Sequence, residues 1–150
     1  MTRAAVWGAT LGPIGYWPWG PGTLASAAVT LVWWATAPGV AVTIVAAVLL
    51  GGLGVPLAGS AERALGPDDR RIVVDEAAGM ALALAGAPPG VAGALVALAW
   101  FRLFDIFKPP PVRQAERVAG GVGVMLDDMV AGALAAAATA GTLWLWRYAG

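Results

Sequence analysis

The sequence contains no cysteine and no histidine. The first absence removes disulfides and thiol catalysis, and the second removes phosphohistidine chemistry. Together they leave a zinc site without its usual sulfur and nitrogen ligands. Any catalysis has to be built from carboxylates, arginine, lysine, hydroxyls and backbone amides. Charge is also scarce: charged residues make up 12% of the 150 positions, about half the share in an ordinary soluble domain. Nine basic and nine acidic side chains give a formal net charge of zero. No electrostatic pull toward nucleic acid follows from such a balance.

The charges are missing in blocks. No charged side chain stands between Arg3 and Glu62, none from Ala77 to Phe101, and none from Met129 to Trp146. A soluble helix needs a polar face, and these stretches offer almost none. A hydrocarbon core about 30 Å thick takes about 20 apolar residues of helix to cross. The first neutral stretch is long enough for two short or tilted crossings. The chain therefore reads as a single-domain membrane protein over residues 1–150, with the bilayer as its partner; the alternative is a soluble all-helical protein with an alanine-rich core. The start does not resemble a cleaved signal, because Gly12-Pro13, Pro18 and Pro21-Gly22 interrupt any early apolar core.

Glycine and proline divide the apolar chain. Residues 8–23 read as a loop, with Tyr16, Trp17 and Trp19 suited to a membrane interface. A helix is expected from Thr23 or Leu24 to Ala37, broken by Pro38-Gly39, and a second from about Val40 to Leu57. The polar run 62–71 leads into Asp75-Glu76. Pro88-Pro89-Gly90 interrupts the next apolar stretch, which is either one kinked span or a hairpin of two half-spans. Helix resumes through Arg102 to Lys108 and stops at Pro109-Pro110-Pro111. A final helix is expected from near Asp127 to near Trp146, its many alanines and glycines suited to close packing in lipid.

The hairpin is the preferred form of the middle stretch because it places loops 1–23, 59–76 and 105–128 on one side. Eight of the nine basic residues then share that side, Arg147 excepted. Such a bias marks the cytoplasmic face of the membrane. The expected fold is all-α, with about four to five short transmembrane or half-spanning helices and the polar loops gathered together.

Three acidic groups stand where polar loops meet apolar helices: Asp75-Glu76, Asp105 and Asp127-Asp128. A carboxylate near hydrocarbon is costly unless it is paired or binds a cation. Five such groups with no histidine or cysteine form the oxygen-rich set that Mg²⁺ prefers. A single pair could equally serve as a helix start that offsets the dipole. Arg102, Asp105 and Lys108 recur every three residues along one side of a helix. The two cations suit phosphate recognition, or else they snorkel to headgroups. Gly120, Gly121 and Gly123 could bring bare amides to a phosphate, or form a flexible connector. Thr23 is either a helix cap or a phosphate contact.

Four stretches in order resemble the phosphatidylglycerophosphatase A family: GYWPWGPGTLAS (15–26), IVVDEAAGM (72–80), FRLFDIFKPPPV (101–112) and GGVGVMLDDMVAG (120–132). The first departs from the family pattern, which reads Ala-Pro-Gly-Thr and then Gly-Ser. Here Gly20 precedes the proline and Ala25 precedes Ser26. The resemblance implies Mg²⁺-dependent hydrolysis of a phospholipid substrate, phosphatidylglycerophosphate, to phosphatidylglycerol and phosphate. It implies a bacterial inner membrane, and functional positions at Asp75, Glu76, Arg102, Asp105, Lys108, Asp127 and Asp128.

The expected mechanism is attack by water on the terminal phosphate. Asp75, Glu76, Asp127 and Asp128 would hold metal. Arg102 and Lys108 would offset charge, and Asp105 would orient them, bind metal or accept a proton. An aspartyl-phosphate route stands second, since no Asp-x-Asp pattern of aspartate-nucleophile phosphatases is present. The rivals are another metal-dependent lipid-phosphate enzyme and an ion-coupled transporter or channel using carboxylates.

Overall fold

The computed structural model describes residues 3–67 and 69–149; Asp68, in the polar run 62–71, lies outside them. The described residues form α1 (Arg3–Ala9), a 3-10 turn (Ile14–Tyr16), α2 (Pro21–Thr36), α3 (Val40–Leu65), α4 (Val74–Leu84), α5 (Val91–Phe107), α6 (Val112–Ala115) and α7 (Gly121–Ala149). The expected all-α architecture holds. The middle stretch is a hairpin, turning through residues 85–90 between α4 and α5.

Three helix boundaries differ from the sequence reading. Helix α2 starts at Pro21, because Gly20 takes a left-handed φ of 64° and the proline ring is preset for the first helical turn. Helix α3 continues through Pro56 to Leu65 and takes Glu62 and Arg63 into the helix. Helix α7 starts at Gly121 rather than near Asp127. Its first turn lies directly on α3, where a Cβ at Gly121 would stand 2.6 Å from the Gly59 nitrogen.

Short α4 is the centre of the molecule and packs against α2, α3, α5 and α7. Eight of its eleven residues are buried, which a run of Ala and Gly around Met80 and Leu84 permits. One core unites Met80 and Leu84 with Phe101, Ala97, Ala131 and Trp33. A second joins Ala78 and Val74 to Ala58, Ala61 and Met125.

The connections place loops 10–20, 66–73 and 108–120 at one end of the bundle, and the turns 37–39 and 85–90 at the other. Helices α3 and α7 are both long and apolar enough to cross a membrane. Helix α3 is no soluble core helix: Val42, Val45, Val48, Leu49 and Leu53 all stand exposed. In water each such side chain forgoes about 1.5–3 kcal/mol of burial; in hydrocarbon that cost vanishes. Exposed aromatics mark both ends, with Tyr16, Trp17 and Trp19 near the loops and Trp144, Trp146 and Tyr148 at the far end of α7. From Asp127 to Trp144 the helix rises roughly 25 Å, close to the thickness of a hydrocarbon core.

Candidate active site

The loop end carries a polar cavity of ≈ 130 Å³ lined by Asp69, Arg70, Asp75, Glu76, Asp105, Lys108, Asp127 and Asp128, with Ile72 and Val124. Four separate segments contribute. The first turn of α4 supplies Asp75 and Glu76, and the end of α5 supplies Asp105 and Lys108. The second turn of α7 supplies Asp127 and Asp128, and loop 66–73 supplies Asp69 and Arg70.

Close crossing of α4 and α7 brings the two acidic pairs together. A Cβ on Gly79 would lie 2.4 Å from the Asp128 carbonyl oxygen, and one on Gly132 would lie 2.3 Å from that of Gly79. Only glycine allows this approach. Within each pair the local geometry repeats: the Glu76 amide donates to Asp75 Oδ1 at 3.0 Å, and the Asp128 amide donates to Asp127 Oδ1 at 3.0 Å.

The carboxylates divide into partnered and unpartnered sets. Asp69 accepts two hydrogen bonds from the Arg71 guanidinium, at 2.7 and 2.6 Å. Those bonds hold its pKa down at about 2, against the opposing effect of burial. Arg102 pairs with Asp105. Lys108 Nζ donates to Asp127 Oδ2 at 2.9 Å and to Glu116 Oε1 at 2.7 Å. Among the described residues Asp75, Glu76 and Asp128 have no basic partner. These same three bring carboxylate oxygens within 4.8 Å of one another. Glu76 Oε2 and Asp128 Oδ2 are buried without a hydrogen-bond partner.

Lys108 ends α5 in a left-handed conformation, φ 44°, which directs the chain away from the helix. Burial opposes its positive charge, but its bonds to Asp127 and Glu116 outweigh that and raise its pKa above the ordinary 10.5. A raised lysine pKa means that the stabilisation is complete below 10.5 and fades only above it. The ion pair therefore persists at every pH of a normal assay. Replacing Lys108 by alanine should strand Asp127 beside the unpaired carboxylates. Phosphate release should fall about 10²-fold or more, with no alkaline limb near pH 8–10 in the wild-type rate profile; a lysine-like limb there would overturn this.

Other candidates lie apart. Arg102 does not line the cavity but pairs with Asp105, which does. Thr23 is exposed on the first turn of α2 and outside the cavity. Gly120 and Gly123 line a neighbouring cavity of ≈ 290 Å³ that shares Val124 and Asp127. Gly121 packs on α3.

Sequence reading assigned no role to Asp69, Arg70 or Gly22. Arg70 is a cation on the cavity wall, and one of its guanidinium nitrogens donates to the Pro18 carbonyl at 3.4 Å. Gly22 supports Glu76: a Cβ there would stand 1.8 Å from Glu76 Oε1. The signal lay in the Pro21-Gly22-Thr23 stretch, where the glycine beside the threonine hydroxyl is the residue that meets Glu76. Gly22→Ala should push the Glu76 carboxylate aside and lower activity about tenfold or more. Thermal unfolding should change little, since the displaced atoms end a flexible side chain. Wild-type activity would show that Glu76 tolerates the move.

A bundle with apolar helices outside and carboxylates, arginine and lysine gathered at one rim defines a class: a helical membrane protein with a charged, carboxylate-rich cavity at its polar end. Channels and carriers place their charges along the span instead. Residues 7–143 match the family described as phosphatidylglycerophosphatase A, and the chain belongs to that family. It is accordingly an enzyme, a phosphatase. Its sequence is 37% identical over 127 residues to a Bacteroides thetaiotaomicron protein provisionally named phosphatidylinositol-3-phosphatase, covering 79% of this chain and 80% of that one. It is 39% identical over 90 residues to phosphatidylglycerophosphatase A of Escherichia coli K12, covering 56% and 51%. The match to phosphatidylglycerophosphatase A of Haemophilus influenzae is 42% over 66 residues, covering 43% and 40%. The chain thus aligns with about half the length of these two relatives. No solved structure matches it.

Proposed function

We propose that the chain hydrolyses the terminal phosphomonoester of phosphatidylglycerophosphate, giving phosphatidylglycerol and inorganic phosphate, with Mg²⁺ held by Asp75, Glu76 and Asp128. The reaction would serve phospholipid biosynthesis at the cytoplasmic face of a bacterial inner membrane. One observation carries the metal assignment. Every other carboxylate lining the cavity has a cationic partner, whereas these three converge with none among the described residues and leave two buried oxygens unsatisfied. An anionic phosphate could not enter against that charge. The all-oxygen donor set fits Mg²⁺. When bound, the ion would neutralise phosphoryl charge and lower the pKa of a water nucleophile.

The chain's own residues supply the rest. Lys108, fixed by Asp127 and Glu116, offers an ammonium to phosphate oxygens, and Arg70 provides a second cation at the wall. Asp105, paired with Arg102, would accept the proton of the attacking water. Orientation follows from charge: the basic residues of loops 66–73 and 108–120 share the cavity end, while Arg147 lies at the other.

The test is phosphate release from phosphatidylglycerophosphate in detergent micelles, with Mg²⁺ or chelator, using purified full-length chain. Mg²⁺-dependent release supports the reading; no release from folded protein sinks it. Phosphatidylinositol-3-phosphate should be measured alongside, because the Bacteroides thetaiotaomicron relative, aligned over 80% of its length, bears that substrate in its name. Preference for that lipid would transfer the chemistry to a different headgroup.

A further inference from the structure

Helices α2 and α3 are consecutive and antiparallel, yet both pack on α4, which leaves a cleft between them. They meet at the far turn, where the Trp33 indole nitrogen donates to Thr43 Oγ1 at 3.0 Å. Above this closed end runs an apolar cavity of ≈ 450 Å³, walled by Ala25, Val29, Val32 and Val42 and floored by Ala81 and Leu84. Leu11 and Ile14, from the loop at the active-site end, line its upper part. We infer that this cleft holds one acyl chain of the phospholipid whose headgroup occupies the carboxylate cavity. This rests on the lipid-phosphatase reading above.

Three observations identify the occupant. First, the cleft reaches the end of the bundle that carries the site, since Leu11 and Ile14 of loop 10–20 line it. Gly22 supports Glu76, and Ala25, one turn further along α2, already lines the cleft. On α4, Glu76 lines the polar cavity and Ala81 the apolar one. A molecule occupying both must be polar at one end and hydrocarbon at the other. Second, the cleft has no unmet polar demand. The Thr36 hydroxyl donates to the Val32 carbonyl at 2.8 Å, and Thr43 donates to the Gly39 carbonyl at 3.1 Å while accepting from Trp33. Water has nothing to hold it there, and a branched or polar ligand gains nothing. Third, the dimensions suit a chain. From Ala25 to Thr36 the wall rises about 16 Å, and the volume lies in the range of about 300–1,000 Å³ of ligand sites. The cavity between α2 and α5, lined by Leu31, Trp34, Val91 and Leu95, draws on the far half of α5 and on no residue of the loops at the site's end.

The test uses phosphatidylglycerophosphate carrying a diazirine within one 16-carbon chain, in phosphatidylcholine vesicles containing the full-length protein. After photolysis, adducts should concentrate on Leu11, Ile14, Val29 and Val32, and excess unlabelled phosphatidylglycerophosphate should suppress them while extra phosphatidylcholine does not. Adducts spread over the outer face of α3, at Val45, Val48 and Leu53, would overturn the inference. So would labelling that phosphatidylcholine displaces equally well. A second arm fills the cleft by Ala28→Trp, at a position of α2 that also lines it. KM for the 16-carbon lipid should rise about tenfold or more, with kcat/KM for a six-carbon analogue changed by less than about twofold; equal effects on both lipids would overturn the inference. Adduct formation needs no turnover. If the wild type released no phosphate, the functional reading would fail while the labelling pattern still decided the cleft.

Discussion

Asp128→Asn is expected to lower phosphate release by about 10³-fold while leaving the metal-free protein as stable as the wild type or more so. Both halves follow from the same geometry. Asp128 is buried, lacks a basic partner among the described residues and shares a 4.8 Å cluster with Asp75 and Glu76. Its Oδ2 has no hydrogen-bond donor. A buried charge in such company destabilises the fold until a cation arrives. Asparagine keeps the shape and removes the charge, so repulsion falls and cation affinity falls with it. In chelator, thermal unfolding followed by tryptophan fluorescence should show a midpoint equal to or above that of the wild type. Mg²⁺ should then raise the wild-type midpoint, as any ligand of the native state does, and leave the variant unmoved. A variant clearly less stable than wild type in chelator would mean that Asp128 has a stabilising partner and would remove the basis for the metal site.

The five carboxylates were legible because each breaks a simple rule: charge does not stand at the edge of hydrocarbon without a reason. Asp75, Glu76, Asp105, Asp127 and Asp128 do line one cavity. The hairpin at Pro88-Pro89-Gly90 was legible for the same kind of reason, since only that topology keeps the charged loops at one end. What sequence could not sort was partnership. Asp127 and Asp128 are neighbours in a helix, yet Lys108 reaches the first and not the second. That choice depends on where the α5 terminus points, and Lys108 adopts a left-handed conformation rarely taken by residues other than glycine. Arg102 likewise pairs with Asp105 and does not itself line the cavity, which their three-residue spacing alone could not decide. The start of α7 was misplaced because Asp127-Asp128 resembled a helix entrance, whereas Gly120-Gly121 allows the chain to begin turning earlier against α3. Arg70 lay in a polar run with no periodicity to distinguish it from solvated surface.

Glycines that permit contact look the same in sequence as glycines that do not, and this pair of substitutions should separate them. Gly79→Ala is expected to destabilise the protein by about 1–3 kcal/mol and to lower activity about 10²-fold. The added methyl would meet the Asp128 carbonyl oxygen at 2.4 Å and Phe101 Cε2 at 2.7 Å. Phe101 is fully buried and the carbonyl belongs to a helix backbone, so neither neighbour can yield without separating α4 from α7. That separation also moves Asp128 away from Asp75 and Glu76, which couples the loss of stability to the loss of activity. Gly141→Ala, on the same long helix α7, should do the opposite. Nothing lies within 4 Å of a Cβ there, and alanine is favoured over glycine inside a helix by about 0.5–1 kcal/mol. Thermal midpoints should therefore rank Gly141→Ala at or above wild type, and wild type above Gly79→Ala. Phosphate release should be unchanged in the first variant and lost in the second. If Gly79→Ala were wild-type in both measurements, the α4–α7 crossing would not be what brings the two acidic pairs together.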